Sequence, residues 1–199
     1  VIRKFAVLIA LLAVMTPATA YAAAPANTSI VDCLKAVHHS QGGMTLEEAR
    51  ICAPSATVVT KATGNGTFIV KTAKGYAILT SQPASRPSAL AAATSASGGW
   101  RCYWRTYQLI SAAILWTGAT QCYIYRNATW TDTVHTDCHQ YLPDGWCNWQ
   151  NHWINSYGYL SEGVGFFDET AGWIFHGCDH LYLDQWWDGG WNGRWDGNC

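Results

Sequence analysis

The chain has 199 residues, about half of them apolar, with 13 acidic against 12 basic side chains, twelve Trp and eight Cys. A formal net charge of −1 offers no electrostatic footprint for nucleic acid or for an anionic membrane surface. Eight cysteines without a single Cys-x-x-Cys pair point to disulfides in an oxidising compartment rather than to a zinc site.

The first 22 residues have the order of a signal peptide: cationic Arg3 and Lys4, an apolar run from Phe5 to Met15, then Thr16, Pro17 and small residues. Ala20-Tyr21-Ala22 is the best small-x-small site, so the exported form is expected to begin at Ala23. The eleven-residue apolar run is too short for a membrane anchor, since a spanning helix needs about 20 apolar residues, and no later segment reads as a span. Val1 is what a literally translated GUG start codon would give, which points to a bacterial source. Asn27, Asn65 and Asn127 head glycosylation sequons, which matter only in a eukaryotic host.

Residues 23–81 read as a small unit of a helical hairpin followed by a short β-meander. Ser29 with Asp32, and Thr45 with Glu48, each fit an N-cap with an acidic residue three positions on. Gly42-Gly43 separates the two helices and Pro54 ends the second. Cys33 and Cys52 lie symmetrically about that Gly pair, so an antiparallel hairpin pairs them. Three β-rich runs follow, at 57–60, 67–70 and 76–79, with turns at Gly64-Asn65-Gly66 and Lys74-Gly75. Residues 82–99 are almost all Ala, Ser, Thr, Pro and Gly, the composition of a linker.

Residues 100–199 hold every Trp and six of the eight cysteines. Short β-branched and aromatic runs between turns such as Pro143-Asp144-Gly145 and Asp188-Gly189-Gly190 predict an antiparallel β-sandwich or barrel stapled by disulfides. The fold class is therefore mainly β. A sequential pairing is expected: Cys102 with Cys122, Cys138 with Cys147, and Cys178 with Cys199. Trp-Asp-Gly occurs twice, at 187–189 and 195–197, which is too few copies for a propeller.

Two groups of residues are candidates for chemistry. In the tail, Trp186, Trp187, Trp191 and Trp195 alternate with Asp188, Asn192 and Asp196. Flat rings stack on the C–H faces of sugars while Asp and Asn bond the hydroxyls, so this tail is the expected ligand-binding surface. Trp186 and Trp187 are neighbours, and in a strand they would point to opposite faces, so at least one tail ring should meet solvent. The second group is His135, Asp137 and His139 with His176 and His180, two clusters of similar spacing that could converge on a divalent metal.

Catalytic motifs fail on inspection. Ser161 lies in no nucleophile elbow, and there is no P-loop and no dinucleotide fingerprint. Glu162, Asp168 and Glu169 could supply a carboxylate pair for glycoside hydrolysis. No catalytic residue and no cofactor is assigned. The leading expectation is a secreted, non-catalytic binding protein for a glycan or another cell-surface ligand. The alternatives are a secreted hydrolase, metal-dependent on the histidine clusters, and a secreted inhibitor or antagonistic protein.

Overall fold

The computed structural model describes residues 29–40, 42–93, 99–141, 145–172 and 175–197. The expected signal peptide and its cleavage site lie outside these residues, as does Cys199. Among the described residues no helix is long and apolar enough to cross a membrane.

Two short helices lead: α1 (Ile30–Val37) and α2 (Leu46–Cys52). Their caps are those the sequence offers. The Ser29 hydroxyl accepts the Asp32 N–H, and Thr45 and Glu48 form a reciprocal capping box. Cys33 and Cys52 are bonded, with Cα atoms 5.5 Å apart. Between the helices, His38 is buried and reaches both the Glu48 carboxylate at 3.0 Å and the Gly42 carbonyl at 2.9 Å. Gly43 does more than break a helix. A Cβ there would overlap the Lys74 carbonyl, and Tyr76 N–H donates to Met44 O at 2.9 Å, so the helical loop is laced to a β-turn.

The strands follow in order: β1 (Thr57–Val59), β2 (Ala62–Thr63), β3 (Gly66–Thr72) and β4 (Gly75–Pro83), then after helix α3 (Ser88–Ala93) come β5 (Arg101–Ile110), β6 (Ile114–Ile124), β7 (Ala128–His139), β8 (Gly145–Ser156), β9 (Leu160–Ala171), β10 (Phe175–Trp186) and β11 (Gly190–Asp196). They build two sheets, one of six strands in the order β1-β3-β4-β5-β6-β7 and one of five in the order β2-β11-β10-β9-β8. Neighbours are antiparallel except β1, which runs parallel to β3 because the chain between them crosses to the other sheet as β2.

The composition break at 82–99 does not interrupt the sheets. β4 runs to Pro83 and pairs with β5, β2 pairs with β11, and part of the Ala-rich stretch is α3, whose Leu90 packs on the Cys102–Cys122 bridge. The residues on either side of this stretch thus share one core. Cys102 and Cys122 face each other across β5 and β6, whose reversal falls at residues 111–113, and Cys138 bonds Cys147 between β7 and β8. Cys178 is disulfide-bonded, but its expected partner Cys199 is not among the described residues.

The core between the sheets joins Leu79, Tyr107, Leu109, Leu115 and Val134 to Phe167, Leu181, Leu183 and Trp191. A second cluster lies on the outer side of the six-stranded sheet, where α1 and α2 cover Ile69, Ile78, Ile110 and Ile114. Arg105 is fully buried between the sheets. Its guanidinium lies 4.6 Å from the Trp191 ring and donates to Ser81, Gln121 and Gln185. Burial pushes its pKa down to about 9.

On the β9 side the sheets approach closely over two glycines. A Cβ at Gly163 would touch Ala119, Val134 and Thr131, and one at Gly165 would overlap Thr117. β7, the edge of the six-stranded sheet, therefore lies close to both β9 and β8. Every residue from 148 to 154 is exposed.

Trp191 is the largest fully buried side chain. Trp191→Ala is expected to cost about 3–5 kcal/mol, as core aromatic truncations do, whereas the exposed Trp187→Ala should change stability by less than about 0.5 kcal/mol; urea unfolding of both variants checks the contrast.

Candidate functional site

The outer face of the five-stranded sheet can be mapped from its register, because residues directly opposite on neighbouring strands share a face. One row holds Trp149, Asp168 and Cys178. The next holds Asn151, Phe166, His180 and Asp196, then Trp153, Val164, Tyr182 and Arg194, then Asn155, Glu162, Asp184 and Asn192. Trp146 pairs with Thr170 and belongs to the same face.

Trp146 and Trp149 share that face only because β8 carries a bulge. The register shifts between Cys147 and Trp149, leaving Asn148 as the extra residue. In an unbroken strand, positions three apart point to opposite sides. The Asn148 amide donates to Thr170 Oγ1 at 2.8 Å, and Cys147 is tied to Cys138. Both bonds hold the bulge in place.

The result is a file of tryptophans along β8, with Trp146 and Trp149 each 56% exposed and Trp153 37% exposed. Half-buried rings of the same face pack beside it. Phe166 meets Trp149 edge-on at 5.2 Å, and His180 meets Trp153 at 5.7 Å and Phe166 at 5.1 Å. Tyr182 continues the surface and carries the Arg194 guanidinium 3.6 Å above its ring. Past the end of β8, Tyr157 and Tyr159 are exposed, and Trp187 packs edge-on against Tyr159 at 6.3 Å.

A polar row borders the rings. Arg194 bridges Glu162 at 3.0 Å and Asp184 at 3.5 Å, and Asn155 donates to Glu162 at 3.0 Å. Both carboxylates are nearly buried beneath the arginine. Burial outweighs the Arg194 charge at Asp184 and pushes its pKa up to about 6. Asp184 Oδ1 and Asn192 Oδ1 are buried without a hydrogen-bond partner among the described residues, so the exposed polar group of this row is the Arg194 guanidinium.

The expected tail residues divide. Trp187 is exposed, which is the solvent-facing ring the sequence called for. Asp188 is exposed too, but it caps the β10–β11 turn by accepting the Gly190 N–H at 2.8 Å and pairs with Lys61 at 3.3 Å. Trp186 is half-buried beneath Lys61, and Trp195 is half-buried beside Lys74. Trp191 belongs to the core, so its place in the expected ligand surface is corrected: as an inward residue of β11 it faces the other sheet. Asn192 and Asp196 fall in the outer-face rows beside Arg194.

The two histidine clusters do not meet. His135, Asp137 and His139 lie on β7, on the outer side of the six-stranded sheet, where His139 pairs with Asp137 at 3.1 Å and His135 packs on Trp104. His176 and His180 lie on β10 of the other sheet, His176 pairing with Asp168 at 3.0 Å. Among the described residues no three His, Cys, Asp or Glu side chains converge as a metal site. The carboxylate trio also separates. Glu162 and Asp168 face outward, while Glu169 faces inward, where its Oε2 accepts the Ala113 N–H at 3.1 Å.

Glu169 lies beside Asp179 at the closed end of the core. Lys74 donates to Ser111 at 2.6 Å and pairs with Asp179 at 3.3 Å. Burial works against the Asp179 charge, but hydrogen bonds from Glu169 and Ser111 and the Lys74 ammonium outweigh it and keep its pKa low. Burial, then Asp179, pushes Glu169 up to about 8, from an ordinary value of 4.5. The folded state therefore holds a proton that the unfolded chain releases, and stability falls as pH rises through that window. Asp184 acts in the same direction only up to about pH 6. Glu169→Gln, which keeps the bond to Ala113 and cannot ionise, should flatten the decline between about pH 6 and 8; melting temperatures of both proteins across that range are the check.

Comparison with protein-family models, with curated proteins and with solved structures finds no match.

Proposed function

We propose that this is an exported, non-catalytic binding protein whose ligand is a glycan, received on the outer face of the five-stranded sheet. The observation that carries the reading is the single-faced file of Trp146, Trp149 and Trp153 with a hydrogen-bonding row beside it. Large rings left open and contiguous on a protein surface mark an interaction site. Rings that lie along a strand, with Phe166 and His180 packed edge-on beside them, offer apolar faces to sugars, and Arg194 and Asn155 at their border supply groups for hydroxyls. The disulfides support an oxidising compartment, consistent with export through the signal-like leader.

One observation favours the hydrolase alternative: Glu162 and Asp184 are neighbouring carboxylates, and Asp184 is raised to about 6, as a general acid would be. Against it, Arg194 covers both groups and they are almost inaccessible to solvent. Binding is the better reading.

The test is retention on insoluble cellulose, chitin and peptidoglycan, followed by a soluble glycan array. Wild type should bind at least one. Trp149→Ala and Trp153→Ala should each weaken binding about tenfold, equivalent to ~1.4 kcal/mol, without lowering the melting temperature. Binding to none of the polysaccharides or array glycans, or full binding by the double variant, overturns the proposal. Turnover of a bound oligosaccharide that disappears in Asp184→Asn would establish the hydrolase instead.

A further inference from the structure

Strand β8 ends its sheet, pairing with β9 on one side only. Natural proteins blunt such edges with lysine, proline, inward charges, bulges or a covering element. Over the exposed stretch β8 has only the bulge at Asn148, at its start, and no charge or proline beyond it. Gly145–Ser156 reads GWCNWQNHWINS, without one Lys, Arg, Asp, Glu or Pro, and all of residues 148–154 are exposed. Three of its residues, Trp149, Trp153 and Ile154, are large exposed apolar side chains within that stretch.

We propose that the occupant of this edge is a second copy of the chain, joined by antiparallel pairing of β8 with β8 about a two-fold axis through Asn151. Three features select this occupant and this register. First, the strand carries no formal charge, so it can lie against itself without like charges facing each other. Second, the open-edge hydrogen-bonding groups are in phase. The His152 N–H is taken by the side chain of Asn151 at 2.8 Å rather than by β9, which marks the 150, 152 and 154 backbone as the set directed away from β9. In a register centred on Asn151, Gln150 of each copy stands opposite His152 of the other, and these two exchange N–H···O bonds once the Asn151 side chain gives up the His152 N–H. Third, the same register sets Trp149 of one copy opposite Trp153 of the other, twice, and Asn151 opposite itself. Facing aromatic pairs stabilise adjoining strands, and an amide has both a donor and an acceptor to offer its twin.

Because the axis is perpendicular to the sheet, both outer faces stay on one side. The dimer would have a ten-stranded sheet and one continuous tryptophan platform. The pairing itself does not depend on what that platform binds.

Sedimentation velocity of the disulfide-intact mature protein, without any glycan, tests the inference. Wild type should pass from monomer to dimer as concentration rises. Asn151→Lys sets two ammonium groups face to face and should be monomeric, as should Asn151→Asp; a mixture of the two should sediment as a dimer again. His152→Pro removes an edge N–H that β9 does not use, so it should keep its melting transition and lose the dimer. Val58→Lys, on β1 at the edge of the other sheet, should still dimerise. A wild type that stays monomeric at its highest soluble concentration, or dissociation by Val58→Lys but not by Asn151→Lys, overturns the proposal. A monomer that still binds polysaccharide would leave the glycan reading standing, and a dimer that binds none would remove that reading alone.

Discussion

The close approach of the two sheets over Gly163 and Gly165 governs where everything else in this molecule can lie. With a side chain at either position, β6 and β7 would have to stand further from β9. Because they do not, the core closes at β9, and β8 runs beside β7 at the rim with residues 148–154 exposed. An uncovered β-strand normally loses the burial that makes it worth ordering. β8 is ordered instead by its pairing with β9, by the Cys138–Cys147 bridge and by the Asn148–Thr170 bond. Its tryptophans point to the outer face, away from the other sheet, and are available to solvent.

The interior divides its polar groups between two ends. At one, Arg105 is held by neutral partners and the Trp191 ring, with no carboxylate bonded to it among the described residues. At the other, Glu169 and Asp179 share one ammonium, Lys74. Two carboxylates against one nearby cation cannot both ionise cheaply in a buried place, so the proton stays on the one with fewer compensating bonds. Glu169 has the Ala113 N–H and a share of Ser111, whereas Asp179 has the Lys74 ion pair, Ser111 and Trp195. On the outer face, burial likewise pushes Asp184 up to about 6, with the neighbouring Glu162 adding to it and Arg194 opposing it.

Much of the architecture could be read from the residues. The two N-caps, the Cys33–Cys52 bridge, the short turns and the sequential Cys102–Cys122 and Cys138–Cys147 pairs depend on local spacing, and local spacing is what a sequence displays directly. The sharing of sheets across 82–99 was not legible, because β4 pairs with β5 and β2 with β11 through long-range register that composition does not encode. The tail reading was half legible. Adjacent Trp186 and Trp187 do require one outward ring, yet nothing local distinguishes Trp191, which faces the core, from Trp187, which does not. Trp146, Trp149 and Trp153 escaped for a sharper reason: spacings of three and four mimic a helical face, and only the bulge at Asn148 converts them to one face of a strand. The uncharged run between them was the available signal.

That bulge also explains why the rings can serve as a surface rather than as an aggregation hazard without a purpose. A strand free to slip by one residue would turn its whole side-chain set to the other face. Here the slip is blocked at one end by the bulged Asn148 and the bond from Cys147 to Cys138, and at the other by the Asn155–Glu162–Arg194 chain. Between these two fixed points, Phe166 and His180 pack edge-on beside the Trp149 and Trp153 rings and restrict them. If a ligand stacks on them as proposed, the packing lowers the side-chain entropy to be frozen, and pre-organisation of this kind raises affinity without adding a contact. The tryptophans are exposed in area but constrained in geometry, and it is this constraint on which the proposed platform rests.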